Sequence, residues 1–337
     1  MSWFDAVAGA VDTAMVRRGR LRGGSDPRIA RMPLAERLDR LERLATRYQG
    51  MEMMAFPGPF LAPGPPVRPT RRRAWGAEEL GWPSGCARFD PEVSWPTDPA
   101  NDLASATVLR CGRAGAPAVI VLHGYGGGGR TLERALWPLR ALRRAGIDVV
   151  LATLPLHGPR STVRTFTPAF PAQDPRLTHE GFRQAVHEIT GLIAWLRAEG
   201  APRVGLMGMS LGGYTTALIA TLPGIDLSFA GLVIPLSSLS DFALRHFRLG
   251  HGPDALALEA ALARVYRPSS PLARPPAIAP ERVAILAARG DRITGVEQAL
   301  RLGAHFGVAP VLGPGSHLIQ AALPWRPLVN RLVDCLV

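Results

Sequence analysis

The stretch "LMGMSLGGYT" (residues 206–215) decides the fold. It sets Ser210 between Gly208 on one side and Gly212 and Gly213 on the other. Upstream, "RVGL" (203–206) reads as a short buried strand, and downstream "TTALIATL" (215–222) reads as a buried helix. A lone serine at such a junction has two readings. In the structural one, glycines end a strand and serine caps a helix. In the chemical one, a sharp, strained turn pushes the hydroxyl out of a sheet, and the flanking positions are glycine because side chains there would collide with neighbouring backbone. The helix beginning at Leu211 then points free N–H groups and a positive dipole end at the same spot, where an oxyanion would be stabilised.

The 337 residues hold one large domain plus an extension, or two small ones, and 47% hydrophobic content allows a sizeable core. The formal net charge is +12, and every one of the 39 basic residues is arginine. With alanine, glycine and proline also abundant, this looks like compositional bias, and the excess is spread along the chain. The dense run "RPTRRRAW" (68–75) sits in a proline-rich stretch without an aromatic ladder, so no nucleic-acid partner is expected. Cys86, Cys111 and Cys335 are far apart. They offer no metal spacing and no even disulfide set, so no metal site and a reducing compartment are expected. The opening "MSWFDAVAGAVDTAMVRRGR" (1–20) places its arginines after the apolar stretch and carries Asp5 and Asp12 within it, the reverse of a secretory leader. No run reaches the length of a membrane span, and a cytoplasmic location is expected.

The chain divides by texture. Trp3, Phe4, Val7, Val11, Ala14 and Met15 fall on helical spacing in 2–17, and Leu34, Leu38, Leu41 and Leu44 do so in 33–48. Residues 56–74 read as an extended linker or wrapped arm. From about residue 85, strands and helices alternate. "ARFDPEV" (87–93), "ATVLRC" (106–111), "PAVIVLHG" (117–124), "IDVVLATLP" (147–155) and residues 203–208, 229–235, 282–288 and 309–312 read as strands. Helices are expected at 130–144, at 179–199 with Phe182, Val186, Ile189, Ile193 and Leu196 inward, and at 211–222, 241–266, 295–306 and the C-terminus. That order predicts an α/β fold: a mostly parallel sheet with helices on both faces. The expected domains are an N-terminal helical extension with a Pro/Arg-rich linker (1–84) and the α/β domain (85–337). Residues 241–270 sit where a helical cap would be inserted, and ordinary core helix is the alternative.

On such a sheet, functional residues collect at the carboxyl ends of the strands. Gly208-Met209-Ser210-Leu211-Gly212 fits G-x-S-x-G there. "LHGYGGGG" (122–129) ends an earlier strand with bare backbone amides; the Tyr125 amide is the expected partner of the Leu211 amide in an oxyanion hole. No G-K-[ST] follows, which disfavours a nucleotide loop. Asp291 ends the strand in "AILAARGDRIT" (284–294), and His317 lies in a loop in "GPGSHLIQ" (313–320). A serine hydroxyl needs a base to take its proton, and histidine suits that role near neutral pH. A carboxylate fixes the tautomer and stabilises the imidazolium. The order Ser210, Asp291, His317 is the one this architecture uses. Asp241 in "PLSSLSDFA" (235–243) is a rival acid, but it follows Ser210 too closely to leave room for a cap and a further strand. His123 and His157 read as loop residues bonding local backbone, His179 and His187 as belonging to a helix start or face, and His305 as a packing or surface residue.

Together these segments resemble the α/β-hydrolase superfamily, of serine esterase and lipase type, over roughly residues 85–337. "LHGYGG" looks like its oxyanion turn, "GMSLGG" like its nucleophile elbow, and "GDRIT" followed by "GSH" like its acid and base. "LPLHGPR" (154–160) resembles a loop that reads aspartate-arginine-glycine-histidine-glycine in many members, with Leu154 or Pro155 at the first position here. The resemblance implies the hydrolase sheet, no cofactor, and a catalytic triad of Ser210, Asp291 and His317. The expected activity is cleavage of an ester or related acyl bond through an acyl-enzyme, with a small-molecule acyl substrate. The alternatives are acyl transfer on the same fold and a non-catalytic ligand-binding protein. The N-terminal helix is expected to pack on the domain. Contact with a membrane surface is the alternative, since Arg17, Arg18, Arg20 and Arg22 follow its apolar face. The sequence sets no oligomeric state.

Overall fold

The computed structural model describes residues 2–17, 32–74, 76–93, 99–161, 168–246, 249, 252–320 and 322–337. The chain begins with helices α1 (Trp3–Arg17) and α2 (Leu34–Arg47). Strands β1 (Thr70–Ala74) and β2 (Ala77–Pro83), the short helix α3 (Pro99–Asp102), and strands β3 (Leu103–Leu109) and β4 (Ala118–Leu122) follow. Next come α4 (Arg130–Leu136), α5 (Leu139–Arg144), β5 (Asp148–Ala152), α6 (Pro175–Ala198), β6 (Val204–Met209) and α7 (Leu211–Ile219). Strand β7 (Phe229–Val233), helices α8 (Leu239–His246) and α9 (Pro253–Tyr266), β8 (Val283–Ala288), α10 (Val296–Phe306), β9 (Val311–Gly313) and α11 (Trp325–Leu336) complete the described strands and α-helices.

Among the described residues the strands form one sheet in the order β1-β2-β3-β5-β4-β6-β7-β8-β9. Strands β1 to β3 are antiparallel to their neighbours, and those from β5 to β9 run parallel. Parallel strands covered on both faces need apolar side chains on both, which is why 118–122, 148–152, 204–209 and 229–233 are buried at every position. Alternate residues feed opposite layers. Ile120 and Leu122 join Phe182, Val186, Ile189, Ile193 and Leu196 of α6, whereas Val119 and Val121 join Leu142 of α5 and Leu328 and Leu332 of α11. Each such side chain contributes about 1.5–3 kcal/mol on burial.

The sheet starts earlier than the boundary expected at residue 85. "RPTRRRAW" is no linker: residues 70–74 form the edge strand β1, paired with β2 so that Arg72 faces Glu79 and Arg73 faces Glu78. Arg71 pairs with Glu199 at 2.6 Å and stacks on Trp195, 5.2 Å from its ring centroid. Charge-matched partners turn a solvated arginine run into an edge strand. The segment before it is a wrapped arm, with Phe60 and Leu61 fully buried and the Gly64 N–H donating to Thr190 Oγ1 at 2.9 Å. "ARFDPEV" is not a strand, because the Phe89 and Asp90 amides donate to the Glu180 carboxylate of α6 (3.0 and 2.9 Å) and not to a neighbouring strand. The helix expected at 130–144 is broken between α4 and α5, where Trp137 and Pro138 intervene.

Candidate active site

Register places the loops. Leu122 at the end of β4 lies opposite Gly208 of β6, so the loop 123–129 and the turn at Ser210 meet at the carboxyl edge. This is where the sheet changes winding direction, with β5 on one side of β4 and β6 on the other. Val233 pairs with Met209 and Leu286, and Ala288 pairs with Gly313, so the loops after β8 and β9 open onto the same edge.

Ser210 has φ 53° and ψ −111°, a left-handed conformation rare for a side chain with Cβ. Such a residue costs on the order of 1–3 kcal/mol and persists only if its surroundings hold it. Here its N–H donates to Val233 O at 3.0 Å and its carbonyl accepts from Tyr214 N at 2.9 Å. The glycines are obligatory, as expected. A Cβ on Gly208 would lie 2.1 Å from Gly212 O, and one on Gly212 would lie 2.3 Å from Leu122 O. Gly124 brings loop 123–129 close enough that a Cβ there would sit 3.4 Å from Ser210 Cβ. The Tyr125 and Leu211 amides have no acceptor among the described residues, and both residues line the cavity that holds Ser210.

Asp291 and His317 come together as the sequence order implies. Asp291 Oδ2 is 2.9 Å from His317 Nδ1. The carboxylate is fixed by the N–H groups of Ile293 (2.8 Å) and Thr294 (2.9 Å) on Oδ1 and by the Thr294 hydroxyl (2.7 Å) on Oδ2. Burial alone would push the His317 imidazole down; the Asp291 charge, its hydrogen bond and the Asp12 charge outweigh this, and its pKa lies above the usual value. Burial would raise Asp291, but the His317 charge and the surrounding donors hold it below the usual carboxylate range. Asp241, the rival acid, is engaged elsewhere: it binds Gln298 and pairs with Arg245 at 3.0 Å.

Ser210, Tyr125, Leu211 and His317 all line one cavity of about 620 Å³. Its lining is mostly apolar, with Leu41 and Leu44 from α2, Phe242 from α8, and Leu258 and Leu262 from α9, and Arg37 and Arg40 of α2 add charge. Helices α8 and α9 thus line the site together with α2 of the N-terminal extension, which packs on α9.

His123, His157 and His179 are held by backbone contacts. His123 Nε2 accepts the Leu154 N–H (3.0 Å) while Nδ1 donates to Gly124 O (2.8 Å), and burial pushes its pKa down. Glu133 clamps the glycine turn by accepting from Gly128 N at 3.0 Å. His157 Nδ1 donates to Pro155 O (2.8 Å), and His179 Nε2 donates to Val265 O (3.0 Å). In "LPLHGPR", Arg160 is buried and makes a two-pronged ion pair with Glu188 of α6 (2.6 and 2.7 Å).

Sequence reasoning missed two acids. In the sequence Asp5 and Asp12 carried no role at the site, yet they are 1% and 0% exposed. Asp12 accepts from the amides of Arg292 (3.0 Å), His317 (2.9 Å) and Leu318 (3.1 Å) and from Ser316 Oγ (2.9 Å). Asp5 Oδ1 accepts from Gly315 N at 3.0 Å. Trp3, Phe4, Val7 and Val11 face outward instead. The available signal was the small pair Ala8-Gly9 between the acids on the same face: a Cβ on Gly9 would lie 2.8 Å from Gly290 O.

The model of the alpha/beta hydrolase family matches residues 119–330. Two uncharacterized proteins of Mycobacterium tuberculosis, from strains H37Rv and CDC 1551, are 29% and 30% identical to this chain over 306 residues, spanning 84% of it and 74% of each of them. Among solved structures, a cold-adapted esterase from an Arctic intertidal metagenomic library is 18% identical, with a TM-score of 0.48 over 80% of this chain and 99% of that one. Carboxyl esterase 2 from the mycorrhizal fungus Tuber melanosporum is 16% identical, with a TM-score of 0.48 over 88% and 98%.

Proposed function

The chain belongs to the alpha/beta hydrolase family, and from that premise we propose that it is a serine hydrolase cleaving an ester or related acyl bond through an acyl-enzyme. Ser210 Oγ attacks the acyl carbonyl while His317 takes its proton. The tetrahedral oxyanion sits between the Tyr125 and Leu211 amides at the start of α7. His317 returns the proton to the leaving alkoxide, and the alcohol departs. Water, deprotonated by His317, then attacks the acyl carbon and frees Ser210 and the acid. Asp291 keeps the His317 Nδ1–H pointed at itself, so that Nε2 is the basic nitrogen. The observation that carries the reading is the Asp291–His317 pair at 2.9 Å, whose His317 lines, with a strained Ser210, one mostly apolar cavity. That cavity suits an apolar acyl group.

The test is turnover of nitrophenyl esters graded in acyl length, with labelling by a fluorophosphonate. Ser210→Ala is expected to lose the label and about 10⁶-fold in kcat, as nucleophile removal does in a serine protease. Equal labelling of parent and variant rejects Ser210. Added alcohols or thiols that divert the acyl group from water would make acyl transfer the reaction. Ligand binding without turnover would leave a binding protein.

A further inference from the structure

We propose that Asp12 is a positioning residue for His317, strapping the acid-bearing and base-bearing loops to each other from the N-terminal helix. The inference rests on the catalytic reading of Ser210, Asp291 and His317. One oxygen of Asp12, Oδ2, accepts from the amides of Arg292, next to the acid, and of His317 itself. The other oxygen, Oδ1, accepts from Ser316 Oγ and Leu318 N on either side of the base. A single buried carboxylate thereby fixes the spacing of two loops that follow different strands.

Neither partner is comfortable alone. A carboxylate removed from water without donors is costly, and so are buried amides without an acceptor. Four donors on two oxygens satisfy both, and hydrogen bonds to a charged group are stronger than those between neutral groups. Asp5 adds a second fastening one turn-pair earlier, through Gly315 N. The backbone of α1 lies close enough that a Cβ on Gly290 would sit 2.4 Å from Asp5 O.

The charge of Asp12 matters as well as its geometry. Among the charged and titratable groups around His317, Asp291 binds the ring, Asp12 favours its protonation from α1, and His246 of α8 has its pKa pushed down by burial and in turn by the His317 charge. Arg289 lies near Asp5 on the same loop system. The imidazolium formed in each half-reaction is therefore stabilised from two sides. Asp12 does not line the cavity, so substrate binding should not sense it.

The experiment uses the full chain. In Asp12→Asn, kcat for a nitrophenyl ester should fall about 10–100-fold, the cost of slightly misplaced reacting groups, with KM unchanged. The His317 imidazole, followed by its Cε1–H resonance, should titrate at lower pH than in the parent. A purely structural strut would lower the melting temperature and leave both kcat and that titration alone, and this result overturns the proposal. If Asp12→Asn does not fold, Ser316→Ala removes one strap bond: a smaller fall in kcat at constant KM supports the strap, and parental kcat overturns it. A parent that neither turns over esters nor takes the fluorophosphonate overturns the hydrolase reading and the catalytic role of Asp12 with it. An active parent whose Asp12→Asn variant keeps parental kcat and titration overturns the strap alone.

Discussion

The turn at Ser210 and helix α1 meet at the same site, and their sequences display their purpose very differently. At the turn, the reasons are local. Gly208 is needed because of Gly212 O within the turn itself, only Gly212 answers to a neighbouring strand through Leu122 O, and ten consecutive residues announce strand, turn and helix. In α1 the reasons are distant. Asp12 finds its acceptor role with residues 280 to 306 positions along the chain. Its apolar spacing suggested that Trp3, Phe4, Val7 and Val11 would turn inward; instead Trp3 is 79% exposed and the acids are buried. The loops at 290–292 and 315–318 present several amides that would otherwise be buried without acceptors. Satisfying them outweighs hiding a few apolar side chains, each good for about 1.5–3 kcal/mol only when fully buried. Amphipathic spacing names the faces of a helix; the surface it meets decides which face goes in.

The largest effect expected after loss of the nucleophile tests the local half of this contrast. Asp291→Asn gives Nδ1 the wrong partner and should cut turnover by about 10⁴-fold at neutral pH. Asp241→Asn should cost far less, since Asp241 is tied to Gln298 and Arg245 and not to the imidazole. Both are measured on one ester, with circular dichroism confirming that each variant folds. The reverse ranking would move the acid to Asp241.

A pair of glycines compares the two regions directly. In Gly212→Ala the new methyl meets Leu122 O at 2.3 Å and His123 O at 2.6 Å, both fixed by the sheet. In Gly9→Ala it meets Gly290 O at 2.8 Å, and α1 can shift as a body. Overpacking costs about 1–3 kcal/mol, and Gly212→Ala should fall at or above the top of that range while Gly9→Ala stays below it. Urea unfolding gives the ranking. A Gly9→Ala loss as large as that of Gly212→Ala would mean that α1 is as rigidly held as the sheet edge.

Much of the fold was legible for physical reasons. Strands buried on both faces read as short apolar runs, as in "AVIVL" of β4, and α6 shows its inward stripe from Phe182 to Leu196. The pairing of Asp291 with His317 was legible because Gly-Asp and Gly-Ser-His each follow a strand, at the same edge of the sheet. What stayed hidden depends on pairing between distant segments. The edge strand β1 is a row of arginines whose partners, Glu78, Glu79 and Glu199, only the folded chain brings alongside. Arg160 in "LPLHGPR" gives no sign of Glu188, 28 residues on, with which it forms a buried pair. Asp5 and Asp12 belong to the same class.

The pH profile is a smaller effect that joins the two regions. His317 must be neutral to accept the Ser210 proton, so kcat/KM rises as the imidazole loses its proton. With the Asp291 and Asp12 charges outweighing burial, that pKa is raised. The rising limb should therefore lie above the ordinary imidazole value of about 6.5 and should move down in Asp12→Asn. A limb at or below the ordinary value in the parent would mean that burial, and not the two carboxylates, sets the base.

The smallest effect concerns the outward face of α1. With Asp5 and Asp12 turned into the protein, that face carries Trp3, Phe4, Val7 and Val11, and the helix ends at the exposed Arg17. Arg18, Arg20 and Arg22, which continue the basic run in sequence, lie outside the described residues. An outward apolar face without carboxylates, followed by arginines each worth about 1 kcal/mol near an anionic surface, suits weak contact with an anionic bilayer. The full chain should float modestly with anionic vesicles and not with neutral ones, and Trp3→Ser with Phe4→Ser should abolish flotation. The same double variant should leave kcat and the pH profile of a soluble ester untouched, because neither side chain reaches the cavity or the strap. Equal flotation of parent and double variant would remove the lipid contact. A fall in kcat would show that the two faces of α1 are not separable, and that the outward residues also set how firmly Asp12 is held against His317.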